Sequence, residues 1–203
     1  VYEAVGDCIM PREGVFAKVL EGGVIHPGDE MVEVERGEKR PYQAAVITLS
    51  DKGSQGLRQD ESGPVIVKRL EQEGYDVVET ILLPDGRDEL EQHLRRLADQ
   101  RQVDLILTTG GTGFGQRDVT PEATIAVADR QVPGIAEAIR AASMKVTQRA
   151  MLSRAVSVIR KKTLIINLPG SPKACQECMD VFLETIPHGL DLLRGGVSDC
   201  ARK

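Results

Sequence analysis

Residues 103–124 read VDLILTTGGTGFGQRDVTPEAT, and the reading of this stretch decides the fold. The run through Leu105, Ile106 and Leu107 is apolar and uncharged, as expected of a strand covered on both faces in a parallel sheet. Gly110, Gly111, Gly113 and Gly115 then place four glycines within six residues and end that strand. In open α/β sheets ligands bind beyond the carboxyl ends of the strands, and glycines let backbone N–H groups approach a phosphate closely. Thr109 and Thr112 add hydroxyl donors. Thr120-Pro121 predicts a helix start, a capping hydroxyl followed by proline in the first turn. The free amides of that turn can hold an anion.

Outward from this stretch the chain alternates short apolar runs with helical periods, the α/β signature. Residues 44–49 (AAVITL) and 75–83 (YDVVETILL) read as two more buried parallel strands. Ile66 with Leu70, and Leu90 with Leu94 and Leu97, fall on single helix faces and predict crossover helices. A helix is expected from Pro121 to about Arg130, a break at Val132-Pro133-Gly134, and another helix over 135–146. Residues 156–159 and 164–168 predict an antiparallel pair across a solvated basic turn at Arg160, Lys161 and Lys162. A final helix is expected over 175–193, with Met179, Phe182, Ile186, Leu190 and Leu193 in one stripe and a kink at Pro187. The fold class is therefore α/β, a mostly parallel sheet with helices on both faces. Before it, residues 14–25 and a turn at His26-Pro27-Gly28-Asp29 predict a short N-terminal β segment. The charged run 33–40 (EVERGEKR), followed by Pro41, reads as a linker between residues 1–40 and a domain over 41–203.

Composition bounds the function. With 203 residues, 41% of them hydrophobic and 28% charged, the chain is long enough for a real core and is not disordered throughout. A net charge of −5 argues against general nucleic-acid binding, and zero Trp with three Tyr and three Phe argues against base-stacking platforms. No apolar run approaches the roughly 18 residues of a membrane span. Four cysteines make no disulfide framework, so reduced thiols are expected. The start has no leader pattern and opens on Val1, which points to a fragment or processed chain and to the cytoplasm.

The chemistry gathers at strand ends. Asp118 follows Arg117 in a loop that should face phosphates, where a bare carboxylate is repulsive and a bridging Mg²⁺ makes it attractive. Asp85, in Leu83-Pro84-Asp85-Gly86, is the natural second carboxylate. The first strand leads through Thr48, Ser50 and Asp51 into a connection longer than the usual few residues, ending at Asp60-Glu61-Ser62-Gly63-Pro64. Asn167-Leu168-Pro169-Gly170-Ser171 follows another apolar strand. No Ser-His-Asp set is visible, since His26, His93 and His188 lie in turn or helical contexts. Cys175 and Cys178 share a helix face; without a second such pair they read as packing rather than a zinc site.

Together, Ile47-Thr48-Leu49-Ser50-Asp51, Asp60 to Pro64, Leu83-Pro84-Asp85, the Thr108 to Gly113 run, Arg117 to Ala123 and Asn167-Leu168-Pro169-Gly170 resemble one family. It is that of the molybdopterin adenylyltransferases, of MoaB and Mog type, which includes the G domain of gephyrin-like proteins. The resemblance covers about residues 42–195. It implies molybdenum cofactor biosynthesis: ATP and molybdopterin, with Mg²⁺, give adenylylated molybdopterin and pyrophosphate. By that likeness Asp85 and Asp118 act catalytically and hold the metal. Gly110, Gly111, Thr112 and Gly113, with Thr109, cradle phosphate, and Thr48, Ser50, Asp51, Ser153, Asn167, Pro169, Gly170 and Ser171 contribute to the pterin and nucleotide pocket. A homotrimer and a molybdate insertase acting next are also implied. Residues 5–32 resemble the closing strands of a MOSC domain, a barrel linked to the same cofactor. A non-catalytic molybdopterin-binding or scaffolding module is the alternative, and another nucleotide-using enzyme on the same sheet is a third reading. Two metal-holding carboxylates favour the enzyme.

Overall fold

The computed structural model describes Val24, residues 26–29 and residues 40–195. The chain divides between Lys39 and Arg40 into two units. Of the first unit, the expected turn is seen: the Asp29 N–H donates to the His26 carbonyl at 3.1 Å, with Gly28 at φ +98°. The expected N-terminal strands and the MOSC-like stretch lie otherwise outside the described residues.

The second unit is built on a six-stranded sheet of order β2-β1-β3-β6-β5-β4. Its strands are β1 Gln43–Leu49, β2 Asp76–Leu83, β3 Leu105–Thr109, β4 Arg130–Gln131, β5 Ser157–Arg160 and β6 Thr163–Leu168. The neighbours among β2, β1, β3 and β6 pair in parallel, and β5 joins β6 and β4 antiparallel. The helices are α1 Asp51–Ser54, α2 Ser62–Gln72, α3 Arg87–Arg95, α4 Thr120–Val127, α5 Pro133–Ser143, α6 Pro172–Phe182 and α7 Ile186–Arg194.

The two-residue period of a strand sorts the core onto two faces. Ala44, Val46, Leu105, Leu107, Leu164, Ile166 and Leu168 pack against α2, α5, α6 and α7. The alternate residues Ala45, Ile47, Leu49, Ile106 and Ile165 pack against α3 and α4 through Leu90, Leu94, Ala123 and Val127. Complete burial of each large aliphatic side chain contributes about 1.5–3 kcal/mol, so both layers are needed to hold the sheet. The mostly parallel sheet with helices on both faces is as the sequence predicts.

Several elements differ from the expectation. The third expected buried run is an edge strand: β2 pairs only with β1, and its residues are largely half-buried or exposed. Tyr75 precedes it and belongs to the core. Leu97 lies in a π-helical turn, Arg96–Gln100, that continues α3. The helix expected to reach Arg130 stops at Val127, because Asp129 N–H turns to the Ile159 carbonyl at 2.9 Å and the next two residues pair with β5. The two helices are separate as expected, but α5 begins at Pro133, inside the expected break, and ends at Ser143, short of Val146. The antiparallel pair β5–β6 is found, yet Arg160 is not solvated: its Nε donates to Asp99 Oδ1 at 2.9 Å and Nη1 to the Val127 carbonyl at 2.8 Å. The final helix is not kinked but divided into α6 and α7. Pro187 sits in the first turn of α7, where its missing N–H is no loss, whereas inside one long helix it would break a backbone bond.

Candidate functional site

The parallel order brings the carboxyl ends of β1, β2, β3 and β6 side by side, and a cleft of about 220 Å³ lies across them. Thr48, Ser50, Asp60, Asp85, Thr109, Gly111, Asp118 and Gly170 line it, along with Leu49, Arg58, Gln59, Glu61 and Ser62. Ser50 caps α1, its Oγ accepting the Gly53 N–H at 3.0 Å. Thr48 Oγ1 is buried with no hydrogen-bond partner, so a polar atom in the cleft wall is left to be satisfied from the cleft itself.

The glycine loop owes its path to conformation and crowding. Gly110 lies at φ +97°, and a Cβ there would meet the Leu49 carbonyl oxygen at 2.3 Å. Gly111 lies at φ +62°, and a Cβ there would meet Thr120 Oγ1 at 2.4 Å. Thr120 is therefore not the cap the sequence predicts. It begins α4, is buried, and donates its hydroxyl to the Gly110 carbonyl at 3.0 Å, tying helix to loop. From the other side Arg154 Nε donates to the Gly113 carbonyl at 2.6 Å, while its Nη atoms reach Glu122 and the Asp118 carbonyl.

The carboxylates are interlinked. Asp51 N–H donates to Asp85 Oδ2 at 3.1 Å, and Asp85 N–H donates to Asp51 Oδ1 at 3.0 Å. Arg117 pairs with Asp51 through Nε at 2.5 Å and Nη2 at 2.7 Å, which holds the Asp51 carboxyl below its ordinary range. Asp85 moves the opposite way: burial raises it, and the charges of Asp51 and Asp118 add to that, against the Asp51 N–H and Arg117. Asp118 Oδ2 accepts the Gly115 N–H at 2.7 Å.

Not every expected residue faces this cleft. Thr112, Gly113, Ser153 and Pro169 line a second, mostly apolar cleft of about 310 Å³ with Ile139, Arg140, Val146, Leu152 and Cys178. Ser171 stands exposed before α6. Asn167 is 1% exposed and reaches neither cleft; its Nδ2 donates to Thr108 Oγ1 and Thr124 Oγ1, both at 2.9 Å, and its Oδ1 accepts the Val156 N–H at 3.2 Å. That side chain cross-braces the core. Cys175 and Cys178 are free and buried, with Cys175 Sγ donating to the Pro169 carbonyl at 2.9 Å and its thiol pushed up to about 11 by burial. They pack, as expected.

Sequence reasoning missed the reach of Arg117, the grip of Arg154 and the role of Asp60, whose Oδ1 accepts the Ser62 and Gly63 N–H groups at 3.0 Å each. Asp60 lies two residues ahead of α2 and could have been found as a cap. Arg154 acts on carbonyls 36 and 41 residues away, where no local pattern points.

The family described as "Probable molybdopterin binding domain" matches residues 45–188. The molybdopterin adenylyltransferase of Haemophilus influenzae is 47% identical, over 74% of this chain and 83% of its own length. That of Escherichia coli K12 is 44% identical, over 71% of this chain and 77% of its own. Among solved structures, the molybdopterin biosynthesis enzyme MoaB of Thermus thermophilus superposes with a TM-score of 0.72 at 44% identity, covering 76% of this chain and 97% of that one. Matched over residues 45–188 by the family model and at 44–47% identity by these relatives, this chain belongs to the molybdopterin-binding domain family, alongside the molybdopterin adenylyltransferases.

Proposed function

We propose that this chain is a molybdopterin adenylyltransferase of molybdenum cofactor biosynthesis, passing an adenylyl group from ATP to molybdopterin with loss of pyrophosphate. The observation that carries the reading is the cleft at four parallel strand ends, in which Asp85, Asp118, Gly111 of the glycine loop and the unpartnered Thr48 hydroxyl meet. Transfer between phosphates needs little covalent help from protein; positioning and charge neutralisation carry it. Backbone amides of the glycine loop and hydroxyls of Thr48 and Ser50 orient the phosphates, the buried Thr109 hydroxyl bracing the wall by donating to the Pro169 carbonyl, and the second, apolar cleft suits a flat ring system.

The donor set fits Mg²⁺. No three His, Cys, Asp or Glu among the described residues form a closed metal cage. Mg²⁺ needs none: it keeps waters and takes one or two carboxylates plus substrate phosphates. Asp85 and Asp118 would hold it; burial first, and then the charges of Asp51 and Asp118, raise the proton affinity of Asp85, and a cation would relieve the part that comes from those charges. When bound, the ion neutralises charge building on the transferring phosphates. A homotrimer, a cytoplasmic location, a preceding MOSC domain and hand-over to a molybdate insertase complete the proposal. Protein incubated with ATP, Mg²⁺ and molybdopterin should release pyrophosphate and form the adenylylated pterin. Molybdopterin binding without product would instead favour the non-catalytic module.

A further inference from the structure

Arg117 precedes Asp118 on the loop after β3, yet its guanidinium serves the loops after β1 and β2. Besides both oxygens of Asp51, its Nη2 reaches the main-chain carbonyl of Asp85 at 2.7 Å. Asp51 in turn accepts the Asp85 N–H and donates its own N–H to Asp85 Oδ2. Asp85 is thus held at its N–H, its carbonyl and one carboxylate oxygen. The side chains of Arg117 and Asp51 are 64% and 33% exposed. A pair that wet contributes only about 0–1 kcal/mol to stability, so folding alone does not explain it. Its geometry fixes position instead: a planar fork meets both oxygens of a carboxylate through two nitrogens while also reaching the carbonyl, an alignment that a single ammonium nitrogen does not reproduce.

We infer that Arg117 is a positioning residue for the transfer site: acting through Asp51, it fixes the Asp85 carboxylate at the spacing from Asp118 that receives a divalent cation and the ATP phosphates. Asp51 then serves as the intermediate of this linkage, not as a ligand contact. The inference rests on reading Asp85 and Asp118 as the cation-holding pair.

The test compares Arg117→Ala, Asp51→Asn, the double variant, Arg117→Lys and Asp85→Asn with the unaltered protein. Melting confirms folding, water-proton relaxation reads Mn²⁺ affinity from MnCl₂ titrations, and adenylylation is followed at varied Mg²⁺ and ATP. Partners that orient a metal ligand typically matter 10–100-fold, so Arg117→Ala and Asp51→Asn should each weaken Mn²⁺ about tenfold and raise the Mg²⁺ requirement equally. Acting as one unit, they should give a double variant no worse than the weaker single, with the KM for ATP at saturating Mg²⁺ near its original value. Arg117→Lys should not rescue. Additive losses, unchanged Mn²⁺ affinity in both singles, or a raised KM for ATP confined to the Arg117 variants would overturn the inference, the last assigning Arg117 to the phosphates directly. Asp85→Asn that binds Mn²⁺ normally would remove the carboxylate reading itself, which separates the two failures.

Discussion

Gly111→Ala offers the sharpest perturbation of the glycine loop. The added Cβ points not into open cleft but at Thr120 Oγ1, 2.4 Å away, with Asp85 Oδ1 at 3.4 Å. Three costs combine. The residue sits at φ +62°, where a side chain costs roughly 1–2 kcal/mol. Thr120 is buried and must move, an overpacking cost of about 1–3 kcal/mol. Its hydrogen bond to the Gly110 carbonyl is lost or bent, adding about 1 kcal/mol. The total, about 3–6 kcal/mol, corresponds to a melting temperature lowered by on the order of 10 °C for a chain of this size. Gly189→Ala is the control: it lies within α7 at ordinary φ with nothing within 4 Å of its Cβ. It should gain about 0.5–1 kcal/mol, because the unfolded chain loses freedom that the helix does not need. Calorimetric melting of both variants decides. A Gly111→Ala protein melting within about 2 °C of the unaltered protein while losing ATP affinity would refute the packing argument and leave ligand approach as the only reason for glycine there.

Asp118→Ala should fold normally, as the side chain lies at the cleft and not in the core, while adenylylation falls about 100-fold or more from loss of a metal carboxylate; normal turnover would remove that role. Acid should destabilise the fold through Asp104, Asp99 and Glu79. For Asp104, burial alone would raise the carboxyl, but Arg194, the Gln43 N–H and Arg40 outweigh it and the net shift is downward; Arg160 lowers Asp99 and Arg96 lowers Glu79. A carboxyl lowered on folding adds stability that is fully present above its unfolded value, about 4, and is lost as pH falls through the lowered folded value. Urea midpoints should hold down to about pH 5 and then drop, less steeply in Asp104→Asn; an acid limb unchanged by that substitution would exonerate this network. Residues 40–203 alone should melt and turn over as the full chain does, with the cut kept before Arg40 because its Nη1 lies 2.9 Å from Asp104 Oδ2. Aggregation of that piece would make the preceding segment part of the same domain.

What the sequence determined by itself was local and periodic. The apolar runs through Ile47, Ile106 and Ile165 had to be covered on both faces, which required a mostly parallel sheet between two helical layers. The glycine run from 110 had to end its strand, and Gly110 and Gly111 turn the chain there at positive φ. Asp85 and Asp118 belong to the loops after β2 and β3, whose carboxyl ends point the same way on either side of β1, and they line one cleft. Tertiary structure decided what depends on partners distant in the chain. Polar residues beside a motif look alike in sequence whether they face ligand or core, so Asn167 read as a pocket residue until its amide was found bonding Thr108 and Thr124. Thr120 read as a cap because its helix start was visible and the Gly110 carbonyl it serves was not. The single stripe from Met179 to Leu193 concealed two helices, since periodicity persists across a break that proline enforces. Arg117 and Arg154 were legible only as charges, because a guanidinium takes its meaning from the carbonyls and carboxylates that folding brings within about 3 Å of it.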